Sequence, residues 1–224
     1  MKIVIAGGHG QIALFLGEKL AAAGHEAQGL IRKPEQQQDL SSRGIVPVLL
    51  DLENSSVDEV AAALAGVDTV VFAAGAGPDS GPERKDTVDR AGSVLLADAA
   101  ERAGVARFVQ ISSMGADSVR DGARPDGLDD DFYAYLLAKL AAEDDLSARH
   151  GLDWTIVRPG RLTNDEPTGL VALAPNTGRG AIPRADVAAV LVELISASAG
   201  SRQILELISG DDAVSTAVAA LFHR

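Results

Sequence analysis

The chain has two tyrosines, Tyr133 and Tyr135, and the second stands four residues before Lys139. On a helix that spacing puts a phenol and an ammonium on one face, a turn apart. An ammonium beside a phenol favours the phenolate, so the pair could exchange a proton with a carbonyl or alcohol while a hydride moves. Ser112 and Ser113 close an apolar run, where a hydroxyl could hold the substrate oxygen. The bare Tyr-x-x-x-Lys spacing also fits a surface tyrosine packed on a lysine stem. A second chemistry lies near the N-terminus, where KIVIA at 2–6 runs into GGHGQIA at 7–13: an apolar strand, a glycine turn and the first turn of a helix. Gly7 and Gly8 can take backbone angles that a Cβ forbids, Gly10 lets a ligand come close, and Ala13 is small enough for the helix to pack on the strand. The open N–H groups of the first helical turn, with the positive end of the helix dipole, make a seat for a diphosphate. The spacing is G-x-x-G-x-x-A rather than G-x-G-x-x-G, so its position directly after a strand carries the weight.

These residues need a scaffold, and the hydrophobic pattern supplies one. Apolar runs of strand length occur at 2–6, 27–31, 45–50, 69–73, 107–111, 154–158 and 203–208. Most are continuous rather than alternating, as in strands covered on both faces. Pro47 makes the third strand short or an edge strand. Helical patterns fill the intervals at 11–23, 55–64 (after a serine cap), 83–103, 130–149, 184–197 and 211–222. This alternation predicts one domain over 1–224: an α/β, doubly wound parallel sheet of the Rossmann type with right-handed crossovers. The Gly/Pro/Asp-rich loops at 76–82 and 115–128 follow carboxyl ends of strands, where such folds bind ligands. The stretch 159–181 reads as irregular, a small C-terminal cap on the substrate side.

Composition narrows the function. The 224 residues carry a formal net charge of −12 and no cysteine. The acidity argues against a nucleic-acid surface, and the lack of cysteine excludes disulfides, thiolate metal sites and a cysteine nucleophile. No apolar run suits a bilayer span and no secretory segment opens the chain, so a cytoplasmic protein is expected, as a monomer or a homodimer. The acidic runs 129–131 and 143–145 read as solvated surface. His9, His25, His150 and His223 have no ligand partners at helical or hairpin spacing, so no metal is expected. Trp154 reads as core.

An anionic cofactor on an acidic protein calls for a local basic island. Arg32 and Lys33 supply one at the tip of the second strand, 25 residues after Gly7. In a dinucleotide site an acid at that tip binds the ribose hydroxyls, whereas an arginine suits a 2′-phosphate, which favours NADP over NAD. Asp51 and Leu52 end the third strand, either against adenine or with Asp51 capping the next helix. Ala73, Ala74, Gly75, Ala76 and Gly77 form a run of small residues that permits close approach of something flat or phosphorylated.

Together these segments resemble the atypical NAD(P)H-binding branch of the short-chain dehydrogenase/reductase superfamily, which includes NmrA-like and biliverdin reductase B-like proteins. The likeness covers nearly the whole chain. It rests on GGHGQIA at 7–13, LIRKP at 30–34, DL at 51–52, VVFAAGAG at 70–77, the segment 88–116, YLLAK at 135–139, DWTIVRPGRLT at 153–163 and IPRADVA at 182–188. The resemblance implies that Gly7, Gly10 and the backbone of His9, Gln11 and Ile12 hold the diphosphate. It puts Arg32 on the 2′-phosphate, Asp51 and Leu52 on adenine, and Ala73, Ala74 and Gly75 along the dinucleotide. Lys139 would bridge the nicotinamide ribose hydroxyls and Pro159 with Gly160 would border the nicotinamide. Tyr135 would be the proton donor, and Ser113, more than Ser112, the substrate-facing serine. An NADPH-dependent oxidoreductase acting on a small carbonyl or quinone-like substrate is the expected function. A redox-sensing protein that reads NADP without turnover, or an enzyme like the sugar epimerases and dehydratases, is the alternative.

Overall fold

A computed structural model describes residues 1–77 and 80–223. Residues 78 and 79, inside the expected 76–82 loop, lie outside the described part. The seven expected strands all form: β1 (Lys2–Ala6), β2 (Glu26–Ile31), β3 (Val46–Leu49), β4 (Thr69–Phe72), β5 (Arg107–Ile111), β6 (Asp153–Pro159) and, under the label β10, Gln203–Ser209. They pair in parallel in the order β3-β2-β1-β4-β5-β6-β10. The order reverses between β1 and β4, which opens a crevice at their carboxyl ends. β3 is the outermost strand and carries Pro47, whose missing N–H costs least there.

The continuous apolar runs are explained by cover on both faces. In β1, Ile3 and Ile5 join one buried cluster with Leu16, Leu20 and Leu191, while Val4 and Ala6 join another with Val60, Leu96 and Leu146. The first layer is α1 (Gln11–Ala22) packed on α7 (Arg184–Ser196). The second is α3 (Val57–Ala63), α5 (Gly92–Ala103) and α6 (Asp130–Ala148). α2 (Gln37–Ser42) is short and follows a 3₁₀ turn at Pro34–Gln36. The expected helix at 83–103 is one rod with a π-helical stretch at Asp86–Ala91 between α4 (Pro82–Lys85) and α5. Such π-turns often mark functional positions.

Three expectations need correction. The stretch 159–181 is not irregular: it holds β7 (Arg161–Thr163), β8 (Leu170–Ala174) and the start of β9 (Ala181–Pro183). β8 extends the sheet antiparallel to β10, while β7 and β9 form a separate parallel pair. The helix expected at 211–222 begins later: β11 (Asp212–Ala213) pairs with β8 and α8 (Val214–Ala219) follows. The acidic run 143–145 is not all solvated. Glu143 is buried, held by Arg158 at 2.6 Å, and accepts a hydrogen bond from Ser112. Trp154 is core, as expected.

Candidate active site

The N-terminal turn is set by what stands beside it. Gly7 has φ +76°, and a Cβ there would lie 2.6 Å from the Cα of Ala74. The turn closes through Gly10 N–H to the Gly7 carbonyl at 2.9 Å, and Gly8 N–H ties it to Leu30 at 2.9 Å. α1 then starts with no side-chain cap and no acid in its first turn. Its first amides are therefore free to meet an anion. Gly7→Ala is expected to introduce strain of about 1–3 kcal/mol from the left-handed angle alone, with the backbone clash in addition. A lowered urea midpoint together with weakened dinucleotide binding would be the readout; unchanged values would contradict the close-packed turn.

A cavity of about 310 Å³ runs along this turn, lined by Gly7, His9, Gly10, Arg32, Asp51 and Leu52, among others, and by the small residues Ala73–Ala76. Gln11 and Lys33 do not line it. His9 Nε2 lies 3.0 Å from Asp39. Asp51 does not cap α3. That role falls to Ser56, in a capping box with Glu59, and Asp51 instead closes its own turn onto Glu53 N–H and Asn54. The basic island is also not what the sequence suggested. Arg32 and Arg84 both pair with Glu53, at 3.2 and 2.8 Å, and Thr87 adds a hydrogen bond at 3.0 Å. The hydrogen bond from Arg84, helped by Thr87 and against partial burial, holds the Glu53 carboxyl below the usual carboxylate range. Glu53 and Arg84 were missed in the sequence. An acid just past the tip of the third strand was the available signal for Glu53, whereas only the fold brings Arg84 to it.

A larger cavity, about 1410 Å³, adjoins the first across Ala73–Ala76. Tyr135, Lys139, Ser112, Ser113, Pro159 and Gly160 all line it, as does Ile12. Tyr133 does not; its ring packs under the Arg124 guanidinium at 4.9 Å. The Lys139 ammonium lies 5.6 Å from the centre of the Tyr135 ring, on the shared helix face that the spacing predicts. It is also paired with Asp89 at 3.0 Å and donates to the Ile111 carbonyl at 3.3 Å. Burial opposes the ammonium, but Tyr135 and the Asp89 carboxylate outweigh it and raise the Lys139 pKa above the ordinary lysine value. Asp89 comes from the π-helical stretch, is fully buried, and also accepts Ala76 N–H at 3.0 Å. Nothing in the sequence marked it, because an acid in a helix is ordinary until its partner 50 residues later is known. The two serines divide their tasks. Ser112 donates to Glu143, whereas Ser113 has only a long contact, 3.3 Å, to the Met114 carbonyl and keeps its hydroxyl available.

The family model described as NAD(P)H-binding matches residues 7–198. The chain belongs to that NAD(P)H-binding family. This family member is 32% identical over 229 residues to the uncharacterised sugar epimerase YhfK of Bacillus subtilis, covering 99% of this chain and all of that one. Among solved structures it is similar to a Bacillus halodurans protein described as a candidate NAD-dependent epimerase/dehydratase (34% identity, TM-score 0.89, 99% of this chain and 100% of the other). It is also similar to the oxidoreductase ylbE of Lactococcus lactis (27% identity, TM-score 0.86, 100% and 98%). An NAD(P)H-binding protein needs room for a long, bent anionic ligand. The adjoining cavities, the uncapped α1 and the glycine turn against Ala74 fit that requirement. Among the described residues no helix is long and apolar enough to cross a membrane.

Proposed function

We propose that this chain is an NADPH-dependent oxidoreductase acting on a small carbonyl or quinone-like compound. The observation that carries the reading is the meeting of the two cavities at Ala73–Ala76, with a phosphate-type turn in one and the Tyr135–Lys139–Ser113 group in the other. Reduced nicotinamide, when bound, supplies the hydride. Gly7, Gly10 and the backbone of His9 and Ile12 would hold the diphosphate, and Asp51 with Leu52 the adenine. Lys139 has three N–H donors; it gives one to the Ile111 carbonyl and lies in ion-pair contact with Asp89, which leaves a donor for a ribose hydroxyl. Ser113 would hold the acceptor oxygen and Tyr135 would give its phenolic proton to it, with the Lys139 charge stabilising the phenolate that remains.

Arg32 would take the 2′-phosphate of NADP by exchanging Glu53 for a better anion, while Glu53 stays held by Arg84 and Thr87. Arg32→Ala is expected to cost NADPH binding about 1.5–3 kcal/mol, the usual worth of a hydrogen bond to a charged group. That is roughly a tenfold to hundredfold loss, with NADH binding little changed. Equal losses for the two cofactors would show that Arg32 does not touch the phosphate.

An epimerase or dehydratase is favoured by the names of the two Bacillus relatives. It would use the same phenol but consume no net cofactor. The deciding assay is NADPH oxidation, followed by loss of nicotinamide absorbance, across a panel of aldehydes, ketones and quinones. Acceptor-dependent oxidation supports the reductase. If NADPH binds and no acceptor is reduced, the reductase reading fails.

A further inference from the structure

This acidic chain has 32 carboxylate residues against 20 cationic ones, so a carboxylate is the default neighbour of an arginine. Ten arginines do form such ion pairs, and Arg202 donates to the His150 carbonyl. Besides Arg202, three arginines among the described residues have no carboxylate partner: Arg161, Arg179 and Arg184. All three line the larger cavity.

Their grouping is built by the β7–β9 ribbon. Arg161 opens β7, and its N–H donates to the Gly180 carbonyl at 2.9 Å, next to Arg179. Arg184 follows β9 directly and donates to the neutral Asn164 side chain at 2.7 Å, which leaves its charge uncompensated. The ribbon is fixed at its root, where a Cβ on Gly160 would come within 2.4 Å of the Gly180 carbonyl oxygen. The carboxylates of the same cavity are engaged elsewhere. Asp89 is paired with Lys139, Asp131 with Lys85 at 3.3 Å, and Asp129 caps α6 through Phe132 N–H at 2.7 Å. The cavity also has an apolar wall, including Leu128, Leu136 and Phe132, and Phe132 is 43% exposed and stacks on Tyr135 at 5.6 Å.

We propose that the larger cavity binds an organic anion: an apolar, ring-containing body against Phe132 and Leu136, with an acidic group held by Arg161, Arg179 and Arg184. A guanidinium offers a planar fork that suits either a carboxylate or a phosphate. The seats proposed above for the cofactor's phosphates lie in the other cavity, so these three charges are left for the second ligand. The inference rests on the reductase reading only in calling that ligand the electron acceptor.

The test is calorimetric binding of 6-formyl-2-naphthoate, its neutral methyl ester and 6-formyl-2-naphthyl phosphate to the full chain. The acid or the phosphate is expected to bind at least about tenfold more tightly than the ester; whichever anion leads identifies the group the seat prefers. The triple variant Arg161→Gln, Arg179→Gln, Arg184→Gln should reduce both anions to the affinity of the ester, with NADPH affinity and Tm unchanged. Equal binding of acid, phosphate and ester, no binding of any of them, or a preference that survives the triple variant would overturn the proposal. Because the readout is binding, an anion preference without NADPH oxidation would sink the reductase reading and leave the anion seat standing.

Discussion

Replacing Tyr135 by phenylalanine is expected to lower kcat for carbonyl reduction by about 10²–10⁴-fold, the usual contribution of a positioned general acid. The ring would keep its stacking on Phe132 and its place one turn from Lys139, so NADPH affinity and the urea midpoint should stay at the wild-type values. The matched control is Tyr133→Phe. That residue sits two positions away, packs on Arg124 and does not line the cavity, so its loss should leave kcat unchanged. A Tyr135→Phe enzyme as fast as wild type would remove Tyr135 from the chemistry and leave proton delivery to water.

Lys139→Met carries the second large effect, on stability as well as on turnover. Asp89 is fully buried, and Lys139 is the cation that neutralises it. Removing one partner of a buried pair typically costs about 3–5 kcal/mol, because the remaining charge is stranded in a poor solvent. Whole domains are stable by only about 5–15 kcal/mol, so the variant should unfold at a much lower urea concentration. Adding Asp89→Asn to it removes the stranded charge while keeping a polar group near Ala76 N–H. The double variant should therefore recover much of the loss without recovering activity. If Lys139→Met alone unfolds at the wild-type midpoint, the pair contributes nothing to the fold.

The strand, glycine turn and helix at the N-terminus were legible in the sequence because their signals are local. A strand, a positive-φ glycine and an uncapped helix are written in twelve consecutive residues, and parallel strands covered on both faces show up as unbroken apolar runs. Pro47 on the outermost strand follows from the same local rule. What was illegible depends on partners far apart in the chain. Asp89 matters only because α6 carries Lys139 across to it, and Arg84 matters only because its helix brings it to Glu53. Glu143 looked like one of three surface acids; the fold turns it inward onto Arg158 and Ser112. The β7–β9 ribbon escaped notice for another reason. Three-residue strands separated by glycine, proline and asparagine have no period to detect, yet they position the three arginines of the larger cavity, Arg161, Arg179 and Arg184.

The central claim is that the adjoining cavities hold one dinucleotide, with its adenosine end at Arg32 and its nicotinamide beside Tyr135. A crystal structure of the protein with NADP⁺ tests this most directly. The expected result is density continuous across Ala73–Ala76, with the diphosphate on the Gly7–Ile12 turn, the 2′-phosphate on Arg32, and the nicotinamide bordered by Pro159 and Gly160 within reach of Tyr135. A nicotinamide lying away from Tyr135, or a diphosphate seated anywhere but the N-terminal turn, would contradict it.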